Sequence, residues 1–170
     1  MLKTFGLAAA AALIAASPVL AAGKIHVETT KGCGFDIALR PDLAPKHVEQ
    51  ITKLAKAGFY DGIVFHRVID GFMAQTGDPT GTGTGGSKEP DLQAEFSKEH
   101  FGRGAVGMAR SQDPNSGNSQ FFIMFADGGF LDGQYTVWGK VDEAGMACVD
   151  KIAKGEPPPS PDKMTKVTVQ

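Results

Sequence analysis

Cysteine is scarce. Cys33 and Cys148 are the only two in 170 residues, and no C-x-x-C pair is present to carry thiol redox chemistry or a paired-cysteine zinc site. The four histidines, His26, His47, His66 and His100, lie too far apart for an H-E-x-x-H metal motif. A G-x-S-x-G elbow is also missing, which argues against a hydrolase built on that turn. No basic run occurs and the net charge is -2, so nucleic acid is not an expected partner. The longest apolar stretch, Leu7 to Ala16, is too short to span a bilayer comfortably.

That stretch has another reading. Lys3 precedes it, Ser17-Pro18 breaks any helix after it, and Val19-Leu20-Ala21 reads as a small-x-small cleavage site. Residues 1–21 are therefore expected to be a signal peptide, with an uncleaved anchor as the alternative. Residues 22–170 form one domain, and its expected destination is periplasmic or secreted, with no membrane attachment after cleavage. In an oxidising compartment two cysteines can bridge, but sequence alone does not bring their Cα atoms within reach. Cys33, in a Gly32-Cys33-Gly34 turn, and Cys148, in a helix, are read as two buried or half-buried thiols, with a disulfide as the alternative.

What is abundant is glycine, at 22 residues, clustered between Gly58 and Gly145. Tight turns between short strands follow from that. Strand-like runs recur at Lys24–Glu28, Phe35–Leu39, Ile63–Ile69, Phe72–Thr76, Ala105–Met108, Phe121–Phe125, Thr136–Val141 and Thr165–Val169. Pro45 opens a helical pattern through Val48, Ile51 and Ala55 that Gly58 stops. Met146, Val149 and Ile152 repeat the spacing up to Gly155. The expected fold class is mostly β: a closed, eight-stranded antiparallel barrel capped by two α-helices.

The stretch from Phe59 to Asp78 is the most informative. Asp70-Gly71 predicts a hairpin turn. Period-2 alternation puts Phe65, Arg67 and Ile69 on one face of the first strand, and Met73 and Gln75 on one face of the second. Taken alone, Arg67 reads more readily as a surface arginine laying its stem on apolar neighbours. Further on, Gln120 and Phe122 share one face, while Phe121 and Ile123 share the other.

Several spaced motifs now occur in a familiar order: Phe65-His66-Arg67, Gly71-Phe72-Met73-x-Gln75-x-Gly77-Asp78, Gly83-Thr84-Gly85-Gly86, Ser119-Gln120-Phe121-Phe122-Ile123, Leu131-Asp132-Gly133 and Trp138-Gly139-Lys140-Val141. Together they resemble the cyclophilins, over nearly all of residues 24–169. The resemblance implies a cyclophilin-like barrel and peptidyl-prolyl cis-trans isomerase activity without metal or cofactor. By matching position, Arg67 is the catalytic arginine. Phe72, Met73, Phe122 and Leu131 hold the proline ring, with Gln75, Gln120 and His66 as surrounding polar groups. Gly83, Ala109 and Arg110 flank the groove, and the family usually has Asn where Arg110 stands. Phe130 and Tyr135 border it too, where many members carry Trp and His, so tight cyclosporin binding is not expected. The implied partners are proline-containing peptides and unfolded proteins, met by a monomer that assists the folding of exported proteins. The alternative is a cyclophilin-fold chaperone or binding module whose catalysis is incidental. The run Gly81–Lys88 is no phosphate loop, because its Ser precedes its Lys and no strand leads into a helix there.

Overall fold

The computed structural model describes residues 23–170, so the expected signal peptide, residues 1–21, lies outside the described residues. One antiparallel sheet contains β1 Lys24–Thr29, β2 Gly34–Leu39, β3 Arg67–Ile69, β4 Met73–Thr76, β5 Ala105–Met108, β6 Phe121–Met124, β7 Val137–Val141 and β8 Met164–Val169. In space the order is β3-β4-β6-β5-β7-β2-β1-β8. Helix α1, Pro45–Lys56, packs against β8 and β7, and α2, Glu143–Val149, packs against β2. No helix among the described residues is long and apolar enough to cross a membrane.

Alternation along the strands sorts the side chains into two faces. Val68, Ala74, Ile123 and Val106 pair in one register row across β3, β4, β6 and β5, and all four lie in the core. Trp138 is fully buried there, and its ring meets Phe121 edge-on at 5.3 Å. Tyr60 meets Phe121 from another side at 5.7 Å and donates its hydroxyl to the Ser119 carbonyl at 3.0 Å. Such aromatic contacts contribute about 0.5–1.5 kcal/mol each beyond the area they bury.

Both helices begin as their sequences require. Pro45 occupies the first turn of α1, which contains no acidic residue. Glu95 supplies the missing charge from a distant loop, accepting from the backbone N–H groups of Lys46 and His47. The same carboxylate meets the buried His47 ring at 2.6 Å. In α2 the Asp142 side chain accepts from the Gly145 N–H at 2.8 Å, an ordinary N-cap. That helix stops at Val149 instead of continuing to Gly155, although Ile152 stays buried. The chain leaves the helix so that the Ala153 N–H can reach the Asp162 carboxylate at 2.8 Å.

The fold corrects three expectations. The sheet does not close into a barrel: β3 and β8 are its edges, and the stretches beside them meet at the isolated bridges Val64↔Lys163 and Val68↔Gly155 without forming a ladder. A ladder draws on the N–H of every second residue, and the segment facing β3 lacks that donor at Pro157, Pro158, Pro159 and Pro161, in both registers. The result is a curled, open half-barrel. Secondly, only Arg67–Ile69 of the expected strand Ile63–Ile69 pairs regularly. The irregular backbone before it breaks the alternation, so Phe65 turns into the core and does not share a face with Arg67. Thirdly, Cys33 and Cys148 form a disulfide, their Cα atoms 5.9 Å apart and 115 positions apart in sequence. Packing of α2 on β2 brings the β1–β2 turn over the helix end, a contact no local pattern reveals.

Candidate active site

The other face of the sheet carries a second register row. Arg67 pairs with Gln75 across β3 and β4, Gln75 with Phe122 across β4 and β6, and Phe122 with Gly107 across β6 and β5. The turn that sets this register is tight: the Phe72 N–H donates to the Ile69 carbonyl at 3.0 Å, and Gly71 takes a φ of 70°. Position 107 has to be glycine for a steric reason. A Cβ there would collide with the rings of Phe122 and Phe101, which stack at 5.7 Å. Glycine thus lets the Phe122 ring lie down on the sheet and form a floor.

Around that floor is a pocket of about 140 Å³, lined by Arg67, Phe72, Met73, Gln75, Ala109, Arg110, Phe122, Leu131 and Tyr135. All nine belong to the set expected from sequence. Leu131 reaches the wall from a single 3₁₀ turn, Gly129–Leu131. Tyr135 stands edge-on to Phe122 at 5.8 Å, and the Arg110 guanidinium lies over the Tyr135 ring, 4.3 Å from its centroid. Arg110 also donates to the carbonyls of Ser111 and Gln134, so its charge is engaged at the rim. Phe130 is outside the lining: it is 70% exposed and leans on Phe72, with centroids 5.6 Å apart.

A larger recess of about 550 Å³ adjoins the pocket and shares Gln75, Ala109 and Arg110 with it. Gly83 and Gln120 line this second space. Gln75 donates to the Gln120 side-chain oxygen at 3.0 Å, and Gln120 donates onward to the carbonyls of Gly83 and Gly85. The loop they belong to is wound around Asp78. One carboxylate oxygen of Asp78 accepts from the Thr80 N–H and hydroxyl, the other from the N–H groups of Gly83 and Gly85. Burial opposes the Asp78 charge, but these donors outweigh it and bring the pKa down to about 2.

His66 departs from its expected role. Its ring is buried behind Gly83 and lines neither space, and neither ring nitrogen has a hydrogen-bond partner among the described residues. Burial pushes its pKa below the ordinary histidine value, with Asp78 opposing and Arg67 assisting. Glu156 is a site neighbour that sequence reasoning missed. Arg67 donates its Nε–H to Glu156 at 2.8 Å, which leaves both terminal amino groups of the guanidinium for the pocket. No pattern signals a contact across 89 positions into a proline-rich connection.

A sequence model described as cyclophilin type peptidyl-prolyl cis-trans isomerase/CLD matches residues 24–169. A probable peptidyl-prolyl cis-trans isomerase of Brucella suis is 60% identical over 150 residues, covering 79% of this chain and 76% of that one. A peptidyl-prolyl cis-trans isomerase-like 1 protein of Aspergillus oryzae is 39% identical over 134 residues, covering 75% and 80%. Among solved structures, a cyclophilin from Hirschia baltica superposes with a TM-score of 0.77 at 32% identity, covering 85% of this chain and 73% of that one. A Cryptosporidium parvum cyclophilin type isomerase, solved in the presence of the dipeptide Ala-Pro, superposes with a TM-score of 0.78 at 28% identity, covering 86% and 98%. The chain belongs to the cyclophilin family of peptidyl-prolyl cis-trans isomerases. Its activity is accordingly rotation about the peptide bond that precedes proline.

Proposed function

We propose that the chain turns X-Pro bonds in exported proteins that are still unfolded, with Arg67 as its catalytic residue and Phe72, Met73, Phe122 and Leu131 around the proline ring. The observation that carries this is the placement of Arg67, Gln75 and Phe122 in one register row at the edge of a ring-sized pocket. An apolar cavity of about 150 Å³ takes a benzene ring, so about 140 Å³ has room for a pyrrolidine. The Ala-Pro dipeptide in the Cryptosporidium parvum crystals supports proline as the group recognised.

The chemistry needs no bond to break. Resonance makes the peptide C–N bond partly double, and rotation meets a barrier of about 18–20 kcal/mol. At the top of that barrier the carbonyl is out of conjugation and the proline nitrogen carries a localised lone pair. A donor aimed at that nitrogen binds the twisted state better than the planar one, and only such a difference lowers a barrier. Arg67 is a permanently charged donor, and with its Nε engaged by Glu156 its remaining N–H groups serve the pocket. A charged hydrogen bond contributes roughly 1.5–3 kcal/mol, whereas five decades of rate require about 7 kcal/mol. The remainder comes from holding the ring still while the carbonyl turns, in a groove partly shielded from water.

Export rests on Lys3, the apolar run after it and the small-x-small site at Val19–Ala21. The Cys33–Cys148 bridge supports it too, because such bridges persist in oxidising compartments. Intact mass of the protein from periplasm or medium tests this, and is expected to show loss of residues 1–21. Arg67→Lys tests the chemistry in a protease-coupled proline-peptide assay. A point charge does not reproduce the planar fork, so little activity should return relative to Arg67→Ala. Wild-type turnover by Arg67→Lys would refute the role given to the guanidinium.

A further inference from the structure

His100 stands between two carboxylates. Its Nδ1 is 2.7 Å from Asp132 Oδ2, and its Nε2 is 3.0 Å from Asp127 Oδ2. An ionised carboxylate only accepts hydrogen bonds, and a neutral imidazole has a single N–H to give. Both contacts are hydrogen bonds only when the ring carries both protons. The same two carboxylates also take backbone donors: Asp127 Oδ1 accepts from the Gly129 N–H at 2.9 Å, and Asp132 Oδ1 from the Phe101 N–H at 2.8 Å. The imidazole rests on Gly129 so closely that a Cβ there would lie 3.3 Å from its Cε1. These contacts tie down residues 127–132 at both ends, and that turn carries Leu131, a wall of the pocket.

We propose that His100, as an imidazolium, is a positioning residue for the isomerase reaction: it locks the turn from Asp127 to Asp132 so that Leu131 is held against the proline ring. This rests on the assignment of Leu131 to the proline pocket. The neighbouring charges are engaged elsewhere, Glu99 with Arg40 at 3.5 Å and Arg103 with Glu143 and Asp150. Asp132 first, then Asp127, therefore sets the protonation of His100, holding its pKa above the ordinary 6.5. Because the folded value is the raised one, the clamp is complete below about pH 6.5 and is lost as pH climbs through that higher value. Beyond it, one nitrogen lone pair faces a carboxylate and the turn loosens. The group is exposed and screened, so the effect on substrate binding is modest, about two- to fivefold.

The test is the pH dependence of KM and kcat for a proline peptide between about pH 6 and 9, at fixed ionic strength, read by NMR exchange without a coupling protease. Wild-type KM is expected to rise about two- to fivefold with kcat nearly constant. His100→Arg, which bridges two carboxylates and does not titrate, should hold KM low and flat. His100→Gln should show the raised KM throughout. Long-range proton–nitrogen spectra should find both His100 ring nitrogens protonated at pH 6, with a midpoint above 6.5. A pH-independent wild-type KM, a KM that still titrates in His100→Arg, or a midpoint at or below 6.5 would overturn the role of His100. A KM left unchanged by Leu131→Ala would instead overturn the assignment of Leu131 to the proline pocket, and this inference with it.

Discussion

Phe121 and Phe122 are adjacent on β6 and almost equally buried, at 3% and 5% exposure, yet one belongs to the core and the other to the groove. Phe121 is enclosed by Trp138 and Tyr60, both themselves inside the core. Phe122 stacks on Phe101 beneath it and meets Tyr135 beside it, while its upper surface faces a pocket. Burial alone does not separate a structural aromatic from a functional one. What separates them is whether the neighbouring side chains close over the ring or leave a space of definite shape.

The comparison is broken most severely from the core side. Phe121→Ala should lower stability by about 3–5 kcal/mol, measured by urea unfolding, because it empties a site with no room to collapse. Molecules that remain folded should keep their specific activity. Phe122→Ala should do the reverse, losing at least tenfold in kcat/KM per folded molecule by loss of the pocket floor, on the order of 1.4 kcal/mol or more. Equal specific activities for the two variants would show that the faces are not functionally distinct.

Arg67→Ala comes next. The expected loss is about a hundredfold or more in kcat/KM, roughly 2.7 kcal/mol of transition-state stabilisation, with stability changed by no more than about 0.5 kcal/mol. Activity within threefold of wild type, with an intact circular dichroism spectrum, would sink the proposed mechanism. A third experiment uses acid. Asp78 has its folded pKa depressed from 3.8 to about 2, so its contribution is present above pH 3.8 and disappears as pH falls towards 2. That amounts to about 2 kcal/mol of the pH dependence of stability, and Asp78→Asn should remove it from urea midpoints taken across that range. The smallest effect is expected of Glu156→Gln. Both partners of this ion pair are about half exposed, so kcat/KM should fall only about two- to fivefold. A loss as large as that of Arg67→Ala would mean that Glu156 does more than orient the guanidinium.

The parts of this molecule that were legible in advance are those governed by period-2 alternation. The opposed faces of Phe121 and Phe122, and the shared face of Arg67 and Gln75, follow from strand geometry once β3, β4 and β6 are recognised. The nine pocket residues were legible for a different reason, resemblance by motif, since no spacing rule brings Leu131 or Tyr135 to Arg67. Alternation failed at Phe65 because residues 63–66 are not a regular strand, so their side-chain directions obey no period. The disulfide, the open edge between β3 and β8, and the hold of Glu156 on Arg67 all depend on contacts across long sequence separations. The two carboxylates around His100 likewise come from residues 27 and 32 positions away, and nothing near His100 in the chain announces them.

The strand order has a consequence for timing. β6 lies between β4 and β5, although it follows both in the chain. Until Phe121–Met124 has been synthesised and inserted, β4 and β5 have no common neighbour, and Arg67, Gln75, Phe122 and Gly107 cannot form a row. Chains emerge N-terminus first, so a nascent molecule ending before that point has neither groove nor activity. It cannot act on its own prolines during that interval.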